Sequence, residues 1–146
     1  MENKVLFILE NFYGFRHGRL KCPIYTTSII NRKNATYSRI VPYIEETEFK
    51  LYFGETTPEI GIYKKEKFPV DLDWIKQTLE YHDWFAVITC CKKAENALKE
   101  LKIEPFMSLP HPASWAWRKQ MIIDCVDKLN IHYENKSIRN APDCTN

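Results

Sequence analysis

Hydrophobic and polar positions along the chain alternate between two kinds of pattern. Residues 5–9 (VLFIL) form an unbroken apolar run of β-formers, as expected of a strand buried on both faces of a parallel sheet. Residues 49–53, 84–89 and 104–109 repeat that pattern as three further strands. Helical spacing lies between and after them. Residues 34–44 carry Tyr37, Ile40, Val41 and Ile44 on one stripe, with Pro42 shortening the helix. Asp71 is placed as the N-cap of a helix running to Tyr81 and burying Leu72, Ile75 and Leu79. Residues 93–101 put Ala94, Ala97, Leu98 and Leu101 on one face, and residues 114–130 turn Met121, Ile122, Cys125, Val126 and Leu129 inward. Residues 10–33 have no periodicity and read as a long polar and aromatic loop, of a length that usually marks a functional or mobile segment. Residues 54–69 read as irregular and charged, and residues 131–146 as a loose polar tail.

Strands alternating with helices predict an α/β fold, a three-layer α/β/α arrangement around a mostly parallel four-stranded central sheet. The 146 residues suit one domain, residues 1–146. In such sheets the ligand crevice lies outside the carboxyl ends of the strands. The segments after Leu9 and Leu109 both leave at that edge, which would bring Glu10, Asn11, Phe12 and Tyr13 beside His111.

Charge changes this picture only locally. The net +2 conceals a basic first third: residues 1–44 hold seven Lys/Arg against two Asp/Glu, and residues 45–83 hold five against ten. Arg16, His17, Arg19 and Lys21 could therefore meet phosphates or simply be solvated. Aromatic residues at 14% leave some for stacking surfaces beyond the core. The five cysteines, with an adjacent Cys90-Cys91 pair and no CxxC spacing, argue against a disulfide framework or a metal centre. They are read as reduced thiols of a cytoplasmic protein. No metal and no cofactor is expected. The N-terminal apolar run is too short for a signal peptide, and no stretch is long enough to span a bilayer.

The chemistry concentrates in residues 106–119, FMSLPHPASWAWRK. Pro110 and Pro112 each fix φ and lack a backbone donor, so the strand before them must end and His111 is held on a stiff turn. Ser114 is a candidate helix N-cap. Trp115 and Trp117, two residues apart, diverge on a helix, so that one packs and one is exposed, with Arg118 and Lys119 alongside. A fixed imidazole, a bulky apolar side chain and positive charge suit an anionic, ring-bearing ligand. The same residues also suit a proline-bounded loop whose tryptophans pack in the core.

The two segments together resemble a family. VLFILENFYG (residues 5–14) resembles the first motif of the uracil-DNA glycosylase superfamily, a buried strand running into the catalytic loop. His111-Pro112-Ala113-Ser114 resembles its histidine-proline-serine motif, and residues 86–109 match the strand, helix and strand that lead into it. The similarity covers roughly residues 4–43 and 84–129.

The resemblance implies a monofunctional DNA glycosylase acting on uracil or a modified pyrimidine, with DNA as partner, either single-stranded or double-stranded with a flipped base, and acting as a monomer. It puts Asn11 at the residue that positions water and His111 at the group that hydrogen-bonds the pyrimidine oxygen as the base leaves. Glu10 and Phe12 would supply backbone groups around the base, Tyr13 would shape the pocket, Tyr25 would stack on the base, and Asn34 would read its edge. Ser114, Trp115 and Arg118 would contact DNA, Trp115 as the wedge in the duplex, and Arg16 of the basic loop is expected to join them by its charge. The sequence departs from the motifs at Leu9 for glycine, Phe12 for proline and Ala113 for serine, and an amide at Asn11 cannot act as a general base. These departures equally suit a catalytically inactive relative, a nucleic-acid, nucleotide or protein-binding module.

Overall fold

The computed structural model describes residues 3–62 and 66–140. In chain order the strands and helices are β1 (Lys4–Leu9), β2 (Phe12–Tyr13), β3 (Gly18–Arg19), α1 (Ala35–Ser38), α2 (Val41–Glu45), β4 (Lys50–Glu55), β5 (Glu59–Gly61), α3 (Leu72–Glu80), β6 (Ala86–Thr89), α4 (Lys92–Glu100), β7 (Met107–Ser108) and α5 (Lys119–Asn140). β1 is the centre. Its side chains alternate between two cores: Val5, Phe7 and Leu9 enter one with Ile40, Val41, Ile44, Phe53, Ile122, Cys125 and Leu129, while Leu6 and Ile8 enter the other with Ile75, Ala94, Ala97 and Leu98. That period of two, buried on both sides, is why the run VLFIL is continuous. Each fully buried Leu, Ile or Phe contributes roughly 1.5–3 kcal/mol through removal from water.

The central sheet has the order β4-β1-β6-β7, with every pairing parallel. Helices α2 and α5 cover one face, α3 and α4 the other, so the layers are α/β/α. Asp71 caps α3, its Oδ1 accepting from the Trp74 N–H at 3.0 Å. A sulfur caps α4: Cys91 Sγ accepts from the Ala94 N–H at 3.4 Å.

Four sequence expectations are corrected. The stretch 10–33 is not a bare loop: β2 and β3 pair with β5 in a second small sheet of order β2-β5-β3. Two-residue strands that take their partner from distant chain leave no local period to detect. Residues 34–44 split into α1 and α2, with Asn34 as the cap of α1 and Pro42 early in α2. The last helix starts at Lys119, so Ser114 sits in a turn and caps nothing. Finally, α5 continues to Asn140, and residues 131–140 are helical where a loose tail is predicted. Tyr133 packs edge-on against Phe49 at 5.3 Å, and Lys136 lies over the Phe85 ring at 5.2 Å, which gives the extra turns an anchor that a polar sequence hides. Residues 141–146 of the expected tail lie outside the described residues.

Candidate functional site

The carboxyl ends of the strands meet a cavity of about 460 Å³. Its wall is built from four places. Leu9, Asn11, Phe12, Tyr13, Gly14 and Phe15 continue from β1, Ile29 to Asn31, Asn34, Thr36 and Tyr37 come from the segment before and within α1, Glu55 ends β4, and His111 follows β7. Volumes of roughly 300–1,000 Å³ are usual for small-molecule sites.

Asn11 is buried. Its Nδ2 donates to the Phe12 carbonyl at 3.3 Å, an atom that can only accept, so the amide is oriented with Oδ1 on the other side. That Oδ1 has no partner.

His111 stands where the sequence places it. The ladder runs on past β7 through the Leu109 N–H, which donates to Thr89 O at 2.7 Å, and then the prolines end it. The turn is closed by the Ser114 N–H donating to His111 O at 2.9 Å, and the Arg39 guanidinium donates to Pro112 O. The Ala113 N–H donates to His111 Nδ1 at 3.1 Å. An Nδ1 that accepts is unprotonated, so the neutral ring carries its proton on Nε2. Burial holds the imidazole below its ordinary value and keeps it neutral, a neighbouring Glu10 opposing and Lys67 assisting.

Glu55 is the residue the sequence reading misses. It is 1% exposed, and its carboxyl is pushed up to about 8, chiefly by burial, with Glu10 nearby adding to the effect and a hydrogen bond from Tyr25 opposing it. Tyr25 Oη donates to Glu55 Oε1, and Tyr25 and Tyr37 hydroxyls lie 2.9 Å apart. With the Tyr25 proton given to Glu55, Tyr37 donates to Tyr25, forming a chain that ends on the carboxyl. Both phenols are pushed above their ordinary value, first by burial. Glu55 Oε2 has no partner. A buried polar atom left unpaired costs about 1–3 kcal/mol, and Asn11 and Glu55 each carry one such atom among the residues that line the cavity. The sequence does carry a signal: Glu55 lies two residues after Phe53 and four after Leu51, on the inward stripe of β4.

The other expected site residues separate into groups. Phe12 and Tyr13 line the cavity beside Asn11 and His111. Tyr25 does not: its ring stacks on Phe53 at 5.6 Å and meets Phe12 edge-on, so it cannot stack on a ligand and instead holds Glu55. Asn34 lines the cavity, but its Oδ1 accepts from the Thr36 N–H at 2.9 Å, leaving only its amide donors. The Glu10 carbonyl is taken by the Thr56 hydroxyl at 2.6 Å and the Thr56 N–H at 3.1 Å, so it is not offered to a ligand. The Glu10 carboxylate lies 3.6 Å from both Lys67 and Lys93.

Trp117 is buried and Trp115 is 89% exposed, although a turn rather than a helix separates them. Arg118 donates to the carbonyls of Trp115 at 2.7 Å and Trp117 at 2.9 Å, bracing that projection. Ser114 Oγ is buried without a partner, away from the surface where a phosphate would approach. Arg16 is exposed beside Phe15, itself fully exposed on the cavity rim.

Cys22, Cys90, Cys91 and Cys125 are free thiols. Among the described residues no group of three or more His, Cys, Asp or Glu side chains is disposed to hold a metal ion. No described helix is long and apolar enough to cross a membrane. The chain matches no protein-family model, no curated protein and no solved structure.

Proposed function

We propose that the protein is a DNA glycosylase-like protein that flips uracil or a modified pyrimidine out of DNA into this cavity and hydrolyses its N-glycosidic bond. The observation that carries the reading is that Asn11 and His111, from opposite ends of the sequence, line one cavity of about 460 Å³. As the bond from the sugar carbon to the ring nitrogen breaks, positive charge develops on the sugar and negative charge on the departing base. A neutral His111 donating through Nε2–H to a base oxygen favours charge that exists only in the transition state. Asn11 positions the water that adds to the sugar carbon, and the proton this water gives up passes to the departing base anion or to solvent. Trp115 fills the gap left in the duplex, while Arg16 and Arg118 attract the phosphates.

One observation favours the second reading, a binding module without catalysis. None of the carboxyl groups here is a ready base: Glu55 holds its proton at neutral pH and Glu10 is ion-paired with Lys67 and Lys93. The two readings separate on an oligonucleotide carrying one uracil, single- or double-stranded, incubated with the protein and then treated with alkali, and on the same experiment with a panel of modified pyrimidines. Strand breakage is expected with the parent and should fall by about a hundredfold or more in His111→Ala. Equal breakage by parent and variant removes His111 from the mechanism. Binding in gel shifts without breakage of any substrate assigns the binding module.

A further inference from the structure

Phe15 has the most exposed large apolar side chain among the described residues, and its ring stands wholly in solvent. The backbone beneath it is held on both sides. Before it, the Gly14 N–H donates to Gly61 O at 3.0 Å, where β2 leaves β5. After it, His17 Nε2 lies 2.7 Å from Glu66 Oε2, Gly18 and Arg19 pair with β5, and the Leu20 N–H donates to Pro58 O at 2.7 Å. An anchored tip therefore presents a ring that burial would favour. The ring is not an isolated apolar spot. Tyr13 and Ile29 are exposed on the same cavity mouth, so three of the seven exposed large apolar side chains of the described residues gather at one opening.

That opening is also basic. Arg16 follows Phe15 in the tip, and Lys33 lies between Asn31 and Asn34, which both line the mouth. Arg16 and Lys33 are exposed and form no ion pair among the described residues, whereas Arg19 is paired with Glu59 and Arg32 with Glu45. The acid of the cavity wall, Glu55, is buried. An exposed ring beside uncommitted cations matches a chain of flat rings joined by anions. Phe15 lies on the rim, so a ring stacked on it is the neighbour of the ring inside the cavity.

Resting on the base-binding reading above, we propose that Phe15 is a stacking platform for the nucleotide next to the one in the cavity, that Arg16 meets the phosphate between them, and that single-stranded DNA is the partner this platform selects. In a duplex the neighbouring base is already paired and stacked, and its faces are closed to Phe15. In a single strand a face is free. The platform accepts any base, because every base has a π-face.

The experiment follows fluorescence anisotropy with strands of base-less spacers. They carry no base, one central uracil or modified pyrimidine, or that pyrimidine with one adenine on either side of it. A 2′-fluorine on the pyrimidine nucleoside keeps its glycosidic bond intact. In the parent, an adenine on one of the two sides should tighten binding by about five- to a hundredfold. Phe15→Ala should lose that gain and Phe15→Trp should keep it, while urea unfolding of Phe15→Ala matches the parent because the exposed ring adds nothing to the core. Arg16→Ala should lower the slope of log affinity against log salt by about 0.7 on the same strands. On ordinary DNA holding the pyrimidine, Phe15→Ala should weaken binding to the single strand and leave binding to the duplex unchanged.

An adenine that adds nothing in the parent, or adds as much in Phe15→Ala, would overturn the platform. An equal loss on single strand and duplex would overturn the selection of single strands, and an unchanged salt slope would overturn the role of Arg16. Sedimentation of the parent with vesicles of phosphatidylcholine and phosphatidylserine, lost in Phe15→Ala and without any gain from adenine, would overturn the platform in favour of a membrane surface. A central pyrimidine that adds nothing to the base-less strand would instead overturn the base-binding reading on which this rests.

Discussion

Replacing Glu55 by glutamine tests the buried proton without any ligand. In the folded protein the carboxyl keeps its proton until about pH 8, whereas in the unfolded chain it releases it near 4.5. Between those values the folded state binds more protons than the unfolded state, so stability must fall as pH rises. The contribution is fully present below the unfolded value, is lost progressively across the window, and changes no further above the folded one. At 1.36 kcal/mol for each pH unit between the two, about 3 kcal/mol is lost by pH 7 and about 5 kcal/mol above pH 8. Glu55→Gln cannot titrate and retains an oxygen for the Tyr25 hydroxyl, so it escapes the loss. Urea unfolding of parent and variant at a series of pH values gives the difference in stability, and other titrating groups cancel in it. The two should be close near pH 4.5, with the variant gaining several kcal/mol by about pH 8.5. A difference that stays flat from acid to alkali, or that moves against the variant, would refute a carboxyl held neutral by burial.

Other perturbations probe its surroundings. Tyr25→Phe removes the hydrogen bond that holds the Glu55 carboxyl down, so the pH at which the same stability difference levels off, now measured against the double variant that combines Tyr25→Phe with Glu55→Gln, should move above pH 8, at a cost of about 1–2 kcal/mol for the lost bonds. Trp115→Ala should leave stability within about 0.5 kcal/mol, because the side chain is exposed, while weakening activity on duplex far more than on single strands. The opposite pattern would remove the wedge. Gly54→Ala places a Cβ 2.8 Å from Thr78 Cγ2, where α3 crosses β4, and should cost about 1–3 kcal/mol in urea unfolding.

The long-period features of this fold are legible in the sequence. VLFIL predicts a central strand because both faces of β1 are buried, and Asp71 predicts the start of α3 because its side chain has no better use than the free N–H groups behind it. Placing Asn11 and His111 at one edge needs only the rule that ligands gather at the carboxyl ends of parallel strands. What fails depends on partners distant in sequence. β2 and β3 exist because β5 pairs with them, and the extension of α5 past residue 130 exists because Phe49 and Phe85 receive Tyr133. Tyr25, which motif resemblance assigns to a ligand, lies in a segment with no period to fix its register; its bridge to Phe53 turns the ring into the core instead.

Glu55 lies between these two cases, and its position follows from parity. In β4 the side chains that join the core beneath α2 and α5 are those of Leu51 and Phe53, and the same spacing takes Glu55 to that face. Its register partner is Leu9, the last residue of β1, so β4 delivers a carboxyl to the level at which β1 hands over to Asn11. A slip of one residue would turn Glu55 toward α3, where Thr78 closes against Gly54, and leave the Tyr25 hydroxyl without its acceptor. The apolar neighbours that lock the register, Phe7 against Phe53 above all, therefore also fix which face the carboxyl occupies. The site is paid for by the core: the same packing that makes β4 a strand buries an acid where burial above all keeps it protonated.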